Sequence, residues 1–410
     1  MPPPARSTDP SLMGLALALS LAAAVSLGIT RFAYGLLLPP MRADLQWSYT
    51  LAGAMNTANA LGYLVGALLS PMLLRWVGAS RLLLAGSAFA SLFMGLSGFF
   101  TEAVPLLAQR VLAGVASAFL LIAGSLLAAR LVALQPQRGG LLLGLYYGGC
   151  GLGIVLSALL VPALLEAAGT RPHGWAWAWW GLALACLAAT VVLIWPARAL
   201  QRMQQIAAAP GASSTAPSRF GWWPFAPALA AYTLFGVGYI GYMTFVVALL
   251  REQGEGPGRI TWFYALLGLA VLASSRIWAG LLDRYRGGEA LAILNGLLAI
   301  ATVVPALTAA WPLVLLSGLV FGGVFLSVVA STTALVRHNL PAPDWPTGIS
   351  AFTIVFAAGQ IAGPTVIGWI ADGPGGLARG LVFSAAALAA GSLLAWRQRP
   401  LDWRPAVQPG

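Results

Sequence analysis

The sequence predicts an all-α integral membrane protein with twelve transmembrane helices in two pseudo-symmetric six-helix bundles. Composition, the length of the apolar runs and a central polar segment support this fold class. Of the 410 residues, 59% are hydrophobic and only 8% are Asp, Glu, Lys or Arg, whereas a soluble domain carries about 25% charged residues. Such a chain cannot cover a water-facing surface of ordinary size, which excludes a soluble fold.

Apolar runs long enough to cross a bilayer occur twelve times. A hydrocarbon core about 30 Å thick needs roughly 20 apolar residues in a helix, and no run alternates with the period of two that a membrane β-strand shows. The predicted spans are 12–38, 48–70, 82–100, 104–129, 141–165, 175–195, 225–250, 260–282, 290–309, 313–336, 347–371 and 380–396. The first run is too long for the apolar core of a signal peptide, so we interpret it as a mature helix.

A polar stretch divides the spans into two groups of six. It is rich in Pro, Gly, Ser and Ala, a composition typical of a linker. We expect an N-terminal bundle over 1–196, a cytoplasmic linker over 197–223, a C-terminal bundle over 224–397 and a cytoplasmic tail over 398–410. A Gly-x3-Gly motif occurs in span five and again in span eleven. A duplicated six-helix unit is the layout of a secondary transporter.

The basic residues predict the orientation in the membrane. All 22 are arginine, and they give a formal net charge of +11. With both termini in the cytoplasm, fourteen arginines fall in cytoplasmic segments and five in the opposite loops, in agreement with the positive-inside rule. We expect a multi-pass protein of a bacterial inner membrane. No clustered basic face or nucleic-acid-binding motif accompanies the charge, so we expect no nucleic acid partner.

Three short motifs resemble those of the major facilitator superfamily. They are Arg110-x3-Gly114 in span four, Gly280-x-x-Asp283-Arg284 after span eight, and Gly363-Pro364 in span eleven. The resemblance implies the fold of that superfamily, transport by alternating access, and gating or structural roles for these residues. We assign the same roles to Gly149, Gly153 and Arg276.

The sequence of the first span indicates which branch of the superfamily the chain resembles. Residues 28–34 read Gly-Ile-Thr-Arg-Phe-Ala-Tyr, and residues 37–41 read Leu-Leu-Pro-Pro-Met; both resemble the YbfB/YjiJ-type branch, for which the resemblance names no substrate. The loop after span two departs from the superfamily, because Arg75 and Trp76 stand where an Asp-Arg pair is usual.

Three arginines lie within predicted spans, and two of them lie at similar depth. At 1.5 Å of rise per residue, Arg31 lies about 9 Å and Arg110 about 10 Å outward from the middle of their helices. All 11 acidic residues fall in tails, loops or helix ends. We therefore expect Arg31 and Arg110 to bind a small organic anion between them. The alternative for Arg110 is helix packing, and the interpretation of Arg276 is structural.

Polar and aromatic side chains form a second group of candidate substrate-binding residues. They are Tyr34, Asn59, Tyr63, Tyr239, Tyr242 and Gln360. Hydrogen bonds between helices are an equally good explanation for each of them. The tryptophans at 175, 177, 179 and 180 are interpreted as an interfacial aromatic belt.

The function that these observations predict is secondary active transport of a small solute, an organic anion, by a monomer in the lipid bilayer. Efflux of amphipathic neutral or anionic compounds is the alternative, and a coupling ion or a counter-anion is left open. A membrane-embedded enzyme is disfavoured, because the spans contain no lysine, histidine or acid that could serve catalysis. A receptor that does not transport is a further alternative, and uptake by proteoliposomes would distinguish it from a carrier. We expect no catalytic residues, no metal and no cofactor: no Walker motif or metal-ligand spacing occurs, and Cys150 and Cys186 fall in apolar runs.

Overall fold

The structure is a computed structural model, and it describes residues 11–206 and 221–401. These residues are helical apart from short connections, so the predicted all-α class is confirmed. Most of the predicted linker, most of the predicted tail, and Arg6, Arg219 and Arg404 lie outside the described residues.

Twelve long helices fill the described part of the chain. They are α1 (Leu12–Leu45), α2 (Tyr49–Val77), α3 (Ala79–Leu96), α4 (Ala103–Leu134), α5 (Gly139–Ala168), α6 (Trp175–Ile206), α7 (Ala226–Glu252), α8 (Pro257–Ile277), α9 (Glu289–Leu307), α10 (Trp311–Asn339), α11 (Trp345–Ala371) and α12 (Gly376–Trp396). All of them except α8 meet the length and hydropathy needed to cross a membrane. With 21 residues, α8 occupies the eighth place.

Several predicted span boundaries were wrong. α1 continues through Pro39 and Pro40 to Leu45, and α6 continues to Ile206, into the segment predicted as linker. Residues 197–206 are mostly Ala, Arg, Gln, Leu and Met, which favour helix strongly enough to extend α6. Predicted span eight is interrupted at Trp278, whose φ of −102° and ψ of 0° end α8 before a short helix, Ala279–Arg284.

The middle of α1 is a π-helix, Ala24–Phe32, which contains Arg31. Gly28 in this segment lies directly against α5, since a Cβ there would be 2.6 Å from the carbonyl oxygen of Cys150. The Thr30 hydroxyl donates to the carbonyl oxygens of Val25 and Ser26. π-Helical segments are rare and occur frequently at functional sites.

The two halves of the chain pack with the same helix pairs. α1 contacts α5 at Gly149, where a Cβ would lie 2.6 Å from the Ser20 carbonyl carbon, and α7 contacts α11 at Gly363. α2 contacts α4 at Gly114, and α8 contacts α10 at Gly322. Each pair in the second half lies six helices after its counterpart in the first, as the predicted pseudo-symmetry requires.

The helices place two sets of connections at opposite ends of the molecule. We call the end that holds Ser11 and Gln398 the terminal end, and the end that holds Tyr49 and Asp372 the distal end. Between the halves, α2 packs on α11 and α5 packs on α8.

Candidate functional site

Two arginines are the buried charged side chains of the described residues. Arg31 is 4% exposed and Arg110 is 2% exposed. Arg110 donates to the carbonyl oxygen of Thr30, the residue before Arg31, at 2.8 Å, so the structure brings the two predicted ligand-binding arginines close together. No buried acid accompanies them among the residues that the structure describes.

The Arg110 guanidinium is occupied by the protein itself. Its Nη1 donates to the carbonyl oxygen of Thr30 at 2.8 Å, its Nη2 to Asn56 Oδ1 at 3.2 Å and its Nε to the Met55 carbonyl oxygen at 3.5 Å. The guanidinium also lies 5.2 Å from the ring centroid of Tyr34 and 5.6 Å from that of Trp179. These contacts tie α4 to α1, α2 and α6.

Two predicted site residues belong to this packing network. The Tyr34 hydroxyl donates to the Ala52 carbonyl oxygen at 2.8 Å, and the Asn59 amide donates to the Arg110 carbonyl oxygen at 3.2 Å. Trp179, which the sequence assigned to an interfacial belt, is 1% exposed. Its burial follows from its contact with Arg110.

Arg31 differs from Arg110 in the hydrogen bonding of its guanidinium. Its Nη2 is buried without a hydrogen-bond partner among the described residues. The guanidinium lies 5.9 Å from the ring centroid of Tyr63 on α2. The ring of the next residue, Phe32, lies 5.8 Å from that of Phe325 on α10, and the Phe32 carbonyl oxygen accepts from the Tyr264 hydroxyl on α8 at 2.7 Å. These contacts place Arg31 between the two halves, within electrostatic range of Tyr239 on α7.

Opposite Arg31, the second half presents a row of parallel aromatic rings. Tyr239 stacks on Phe235, Phe325 and Phe356 with centroid distances of 4.8, 6.0 and 5.6 Å and interplanar angles of 19°, 9° and 21°. We call these four residues the aromatic wall. The Tyr239 hydroxyl donates to Gln360 Oε1 at 2.7 Å. Tyr63, Tyr239 and Gln360 thus assemble with Arg31.

The remaining predicted residues lie elsewhere. Tyr242 stacks on Phe321 at 4.0 Å, and its hydroxyl lies 3.2 Å from Ser317 Oγ on α10. The motif glycines Gly114, Gly149, Gly153 and Gly363 lie at close helix contacts, and the carbonyl of Pro364 abuts α2 at Gly53.

The loop motif after α8 makes no ion pair with another described residue. Arg276, Asp283 and Arg284 are exposed, and none of them forms a salt bridge within 11–206 or 221–401. A Cβ at Gly280 would meet nothing within 4 Å. The assignment of these residues to gating stays a prediction.

The exposure of side chains along one face of α11 changes with their distance from the terminal end. Gln360 is 3% exposed, Phe356 is half-buried, and Thr353 and Ile349 are exposed. These residues share a face because they are spaced by three or four positions. Tyr147, on the same face of α5 as Cys150, is 43% exposed. Exposure along these two faces therefore increases from the level of Arg31 towards the terminal end.

At the distal end the halves are joined by hydrogen bonds. The Asp372 carboxylate accepts from the backbone N–H groups of Tyr49 and Thr50 at 2.6 and 2.9 Å and from the Thr50 hydroxyl at 2.6 Å. The Tyr49 hydroxyl bonds Glu252. We call these residues the distal clasp. Burial raises the pKa of Asp372, but the hydrogen bonds from Thr50 and Tyr49 and the charge of Arg42 lower it by more, so the pKa lies below its ordinary value.

Hydrogen bonds between the halves continue inward from the clasp. Thr57 Oγ1 donates to the Ile361 carbonyl oxygen at 2.7 Å and lies 2.8 Å from Thr365 Oγ1. The Asn56 amide donates to Thr244 Oγ1 at 2.8 Å. Because Asn56 also accepts from Arg110, Arg110 is linked to the contact between the halves.

A cavity of about 580 Å³ opens beside the clasp. Leu38, Arg42, Asp44, Arg251 and Glu252 are among its lining residues. At 1.5 Å per residue, Leu38 lies about 10 Å along α1 from Arg31. The cavity is therefore a distal vestibule, separate from the Arg31 site.

Sequence reasoning missed several residues of the site. Phe356, Phe325 and Tyr147 were not singled out, although Phe356 lies four residues before Gln360 and hence on the same helical face. The π-helix of α1 has no sequence signature that we could have read. Among the described residues, no group of three His, Cys, Asp or Glu is placed to hold a metal.

Comparison with known proteins identifies the family. The family described as "Uncharacterised MFS-type transporter YbfB" matches residues 23–396. The chain belongs to this family. The predicted branch of the major facilitator superfamily is thus confirmed, and the chain is a multi-spanning membrane transporter of that superfamily.

Relatives and solved structures agree with this assignment. A chloramphenicol resistance protein of Streptomyces lividans is 29% identical over 92% of this chain and 96% of its own length. The crystal structure of the nucleoside transporter NupG is similar in fold, with a TM-score of 0.69, 13% identity, and coverage of 95% of this chain and 100% of that one. A bacterial homologue of the lysosomal transporter Spinster, in an inward-facing and occupied conformation, has a TM-score of 0.66, 16% identity and coverage of 95% and 98%.

Proposed function

We propose that the protein is a secondary active transporter of a small organic anion in a bacterial inner membrane, with both termini in the cytoplasm. Arg31 supplies the positive charge that binds the anion. Arg110 holds α1, α2 and α4 in place and reaches the opposite half through Asn56. This revises the predicted clamp, in which both arginines contacted the substrate.

The buried and unpartnered guanidinium of Arg31 carries the proposal. A charged arginine in the middle of a membrane helix costs roughly 2.5–3.5 kcal/mol on insertion scales. Arg110 offsets this cost with three hydrogen bonds to the protein, whereas Arg31 has one aromatic neighbour and a buried Nη2 without a partner. A carboxylate can accept two parallel hydrogen bonds from a guanidinium, and an anionic substrate brings one to the site.

The distribution of contacts supports alternating access. Side-chain hydrogen bonds between the halves lie in the distal half of the helices, and exposure increases towards the terminal end. In the proposed orientation this conformation is open to the cytoplasm. Rocking of the bundles 1–196 and 224–397 about Arg31 would break the distal clasp and expose the anion to the other side.

Efflux of an amphipathic compound is the second candidate function. Two observations favour it: the chloramphenicol resistance protein is a relative along nearly its whole length, and the aromatic wall offers apolar contact area beside the buried charge. An exporter of neutral compounds would work without the charge of Arg31. The effect of removing the Arg31 side chain on transport therefore distinguishes the two functions.

Transport into proteoliposomes tests the proposal. Purified wild-type protein is reconstituted and loaded with a mixture of unlabelled organic anions, and the accumulation of radiolabelled members of the mixture is measured by counterflow. We expect Arg31→Ala to abolish counterflow of the anion. The matched control is Arg259→Ala, because Arg259 is exposed and pairs with Glu255, four residues earlier, at 3.1 Å, and i,i+4 pairs contribute little to stability.

Three outcomes decide the question. Loss of counterflow in Arg31→Ala alone supports the anion transporter. Counterflow at the wild-type rate in folded Arg31→Ala contradicts it. Accumulation of chloramphenicol that is independent of Arg31 favours the efflux function instead.

A further inference from the structure

We propose that the anion is an aromatic carboxylate whose ring lies against Phe356 and whose carboxylate binds Arg31 and the Gln360 amide. The inference rests on the proposed function and names its substrate class. It follows from three features: the accessible rings, the hydrogen-bonding groups around Arg31, and the positions of Arg31 and Phe356 on opposite halves.

Phe356 is the accessible ring of the aromatic wall. Phe235, Tyr239 and Phe325 are buried, while Phe356 is half-buried and lies on the face of α11 whose exposure increases towards the terminal end. Its ring is held parallel to those of Tyr239 and Phe235, with interplanar angles of 21° and 11°. The wall therefore fixes the orientation of Phe356 and presents a flat apolar face before any ligand binds.

The first half provides rings on the opposite side. Tyr63 is half-buried and lies under the Arg31 guanidinium, and Tyr147 is exposed on the interior face of α5. Tyr146 holds Tyr147 in an edge-to-face contact at 4.9 Å. A planar ligand between the halves therefore has aromatic faces on both sides. Aromatic side chains prefer aromatic partners over aliphatic groups of similar area.

The hydrogen-bonding groups at the site are donors. A guanidinium has only donors, and Nη2 of Arg31 is buried without a partner among the described residues. The Tyr239 hydroxyl occupies Gln360 Oε1, which leaves the side-chain NH2 group of Gln360 to donate to a ligand. A carboxylate meets this donor set.

Different side chains of the protein would therefore bind the carboxylate and the ring of the ligand. The Arg31 guanidinium lies 5.9 Å from the ring centroid of Tyr63, and its unpartnered Nη2 is available to donate to a carboxylate. The ring of the ligand would extend from that nitrogen towards Phe356, in the direction in which exposure increases. Because Arg31 lies on α1 and Phe356 on α11, one ligand of this kind would contact both halves at once.

Calorimetric titration of the purified full-length protein with three probes tests this assignment. The probes are naphthalene-2-carboxylate, its saturated analogue decahydronaphthalene-2-carboxylate, and the neutral naphthalene-2-carboxamide. We expect the aromatic carboxylate to bind about three- to tenfold more tightly than the saturated one, as an aromatic contact of this kind allows. The amide should bind at least tenfold more weakly than the carboxylate.

Variants separate the ring from the charge. Phe356→Leu should bring the ratio of the two carboxylate affinities close to one, because it removes the aromatic contact. The control is Phe89→Leu, because Phe89 is an exposed residue of α3, remote from the wall. Arg31→Ala should weaken both carboxylates at least tenfold and weaken the amide, which can accept only a hydrogen bond to a neutral oxygen, by a smaller factor.

The outcomes distinguish this inference from the function on which it rests. Equal binding of both carboxylates, lost in Arg31→Ala, overturns the aromatic assignment and leaves the anion transporter standing. Equal binding of all three probes, unaffected by Arg31→Ala, overturns both. Absence of any binding by the aromatic carboxylate overturns the aromatic assignment.

Discussion

Replacing Gly53 by alanine should shift the transporter towards a conformation that is open at the distal end. Gly53 lies on α2 where this helix meets α11 of the other half. A Cβ at this position would lie 2.7 Å from the carbonyl carbon of Pro364 and 3.2 Å from Cζ of Phe245. Carbon atoms in contact are normally separated by about 3.5–4.0 Å, so α2 would have to move by about 1 Å away from α11.

That movement raises the free energy of one conformation, the one in which the halves are in contact at the distal end. Overpacking by one methyl group in a well-packed interior costs about 1–3 kcal/mol, and Pro364 offers backbone atoms that cannot rotate away. Since the clash exists only while the distal halves are in contact, we expect the equilibrium to move by about five- to 150-fold towards the distal-open state.

Distances between spin labels measure this shift. Labels at Ala43→Cys and Gly373→Cys, both exposed at the distal end, report the separation of the halves when Cys150 and Cys186 are replaced by alanine. Gly53→Ala should add or enlarge a population at longer distance. Gly323→Ala is the control, since its Cβ would meet nothing within 4 Å. An unchanged distance distribution in folded Gly53→Ala protein would refute this role for the contact.

The two buried arginines should differ in their effect on stability. Without ligand, Arg31→Ala should keep or raise the Tm because it removes an unpaired buried charge, whereas Arg110→Ala should cost about 2–4 kcal/mol by leaving its acceptors unpaired; thermal unfolding measures both. Because the pKa of Asp372 is lowered in the clasp, its contribution is present above the ordinary carboxyl pKa and lost as pH falls through the lowered value. Spin-label distances should therefore be constant from pH 8 to pH 5 and increase only below about pH 4. Gly28→Ala should lower the Tm, because its Cβ would lie 2.5 Å from Gly153 Cα.

The fold could be predicted from the sequence because its signals are local. Twelve apolar runs and a polar divider determine the number of helices and their grouping, and the bilayer enforces helices wherever a run is long enough. Helix ends were less predictable. The extension of α6 to Ile206 depends on helix formers in a segment that also resembled a linker, and the break at Trp278 has no glycine or proline to signal it.

The site was predictable only in part, because its geometry depends on tertiary contacts. Depth along the helix placed Arg31 and Arg110 at one level, and the structure brings them together. Spacing could not show that Arg110 points at Thr30 and Asn56 while Arg31 keeps an unpartnered nitrogen. That difference lies in the tertiary contacts of the two guanidinium groups, which no periodicity of apolar residues encodes.

The central claim is that the positively charged guanidinium of Arg31 binds the negatively charged carboxylate of the substrate. Titration of wild type and Arg31→Gln with naphthalene-2-carboxylate and with its neutral amide gives a double-mutant cycle for that pair of charges. The account predicts a coupling energy of about 1.5–3 kcal/mol, the usual contribution of a hydrogen bond to a charged group. A coupling energy near zero, with the carboxylate still bound by Arg31→Gln, would contradict it.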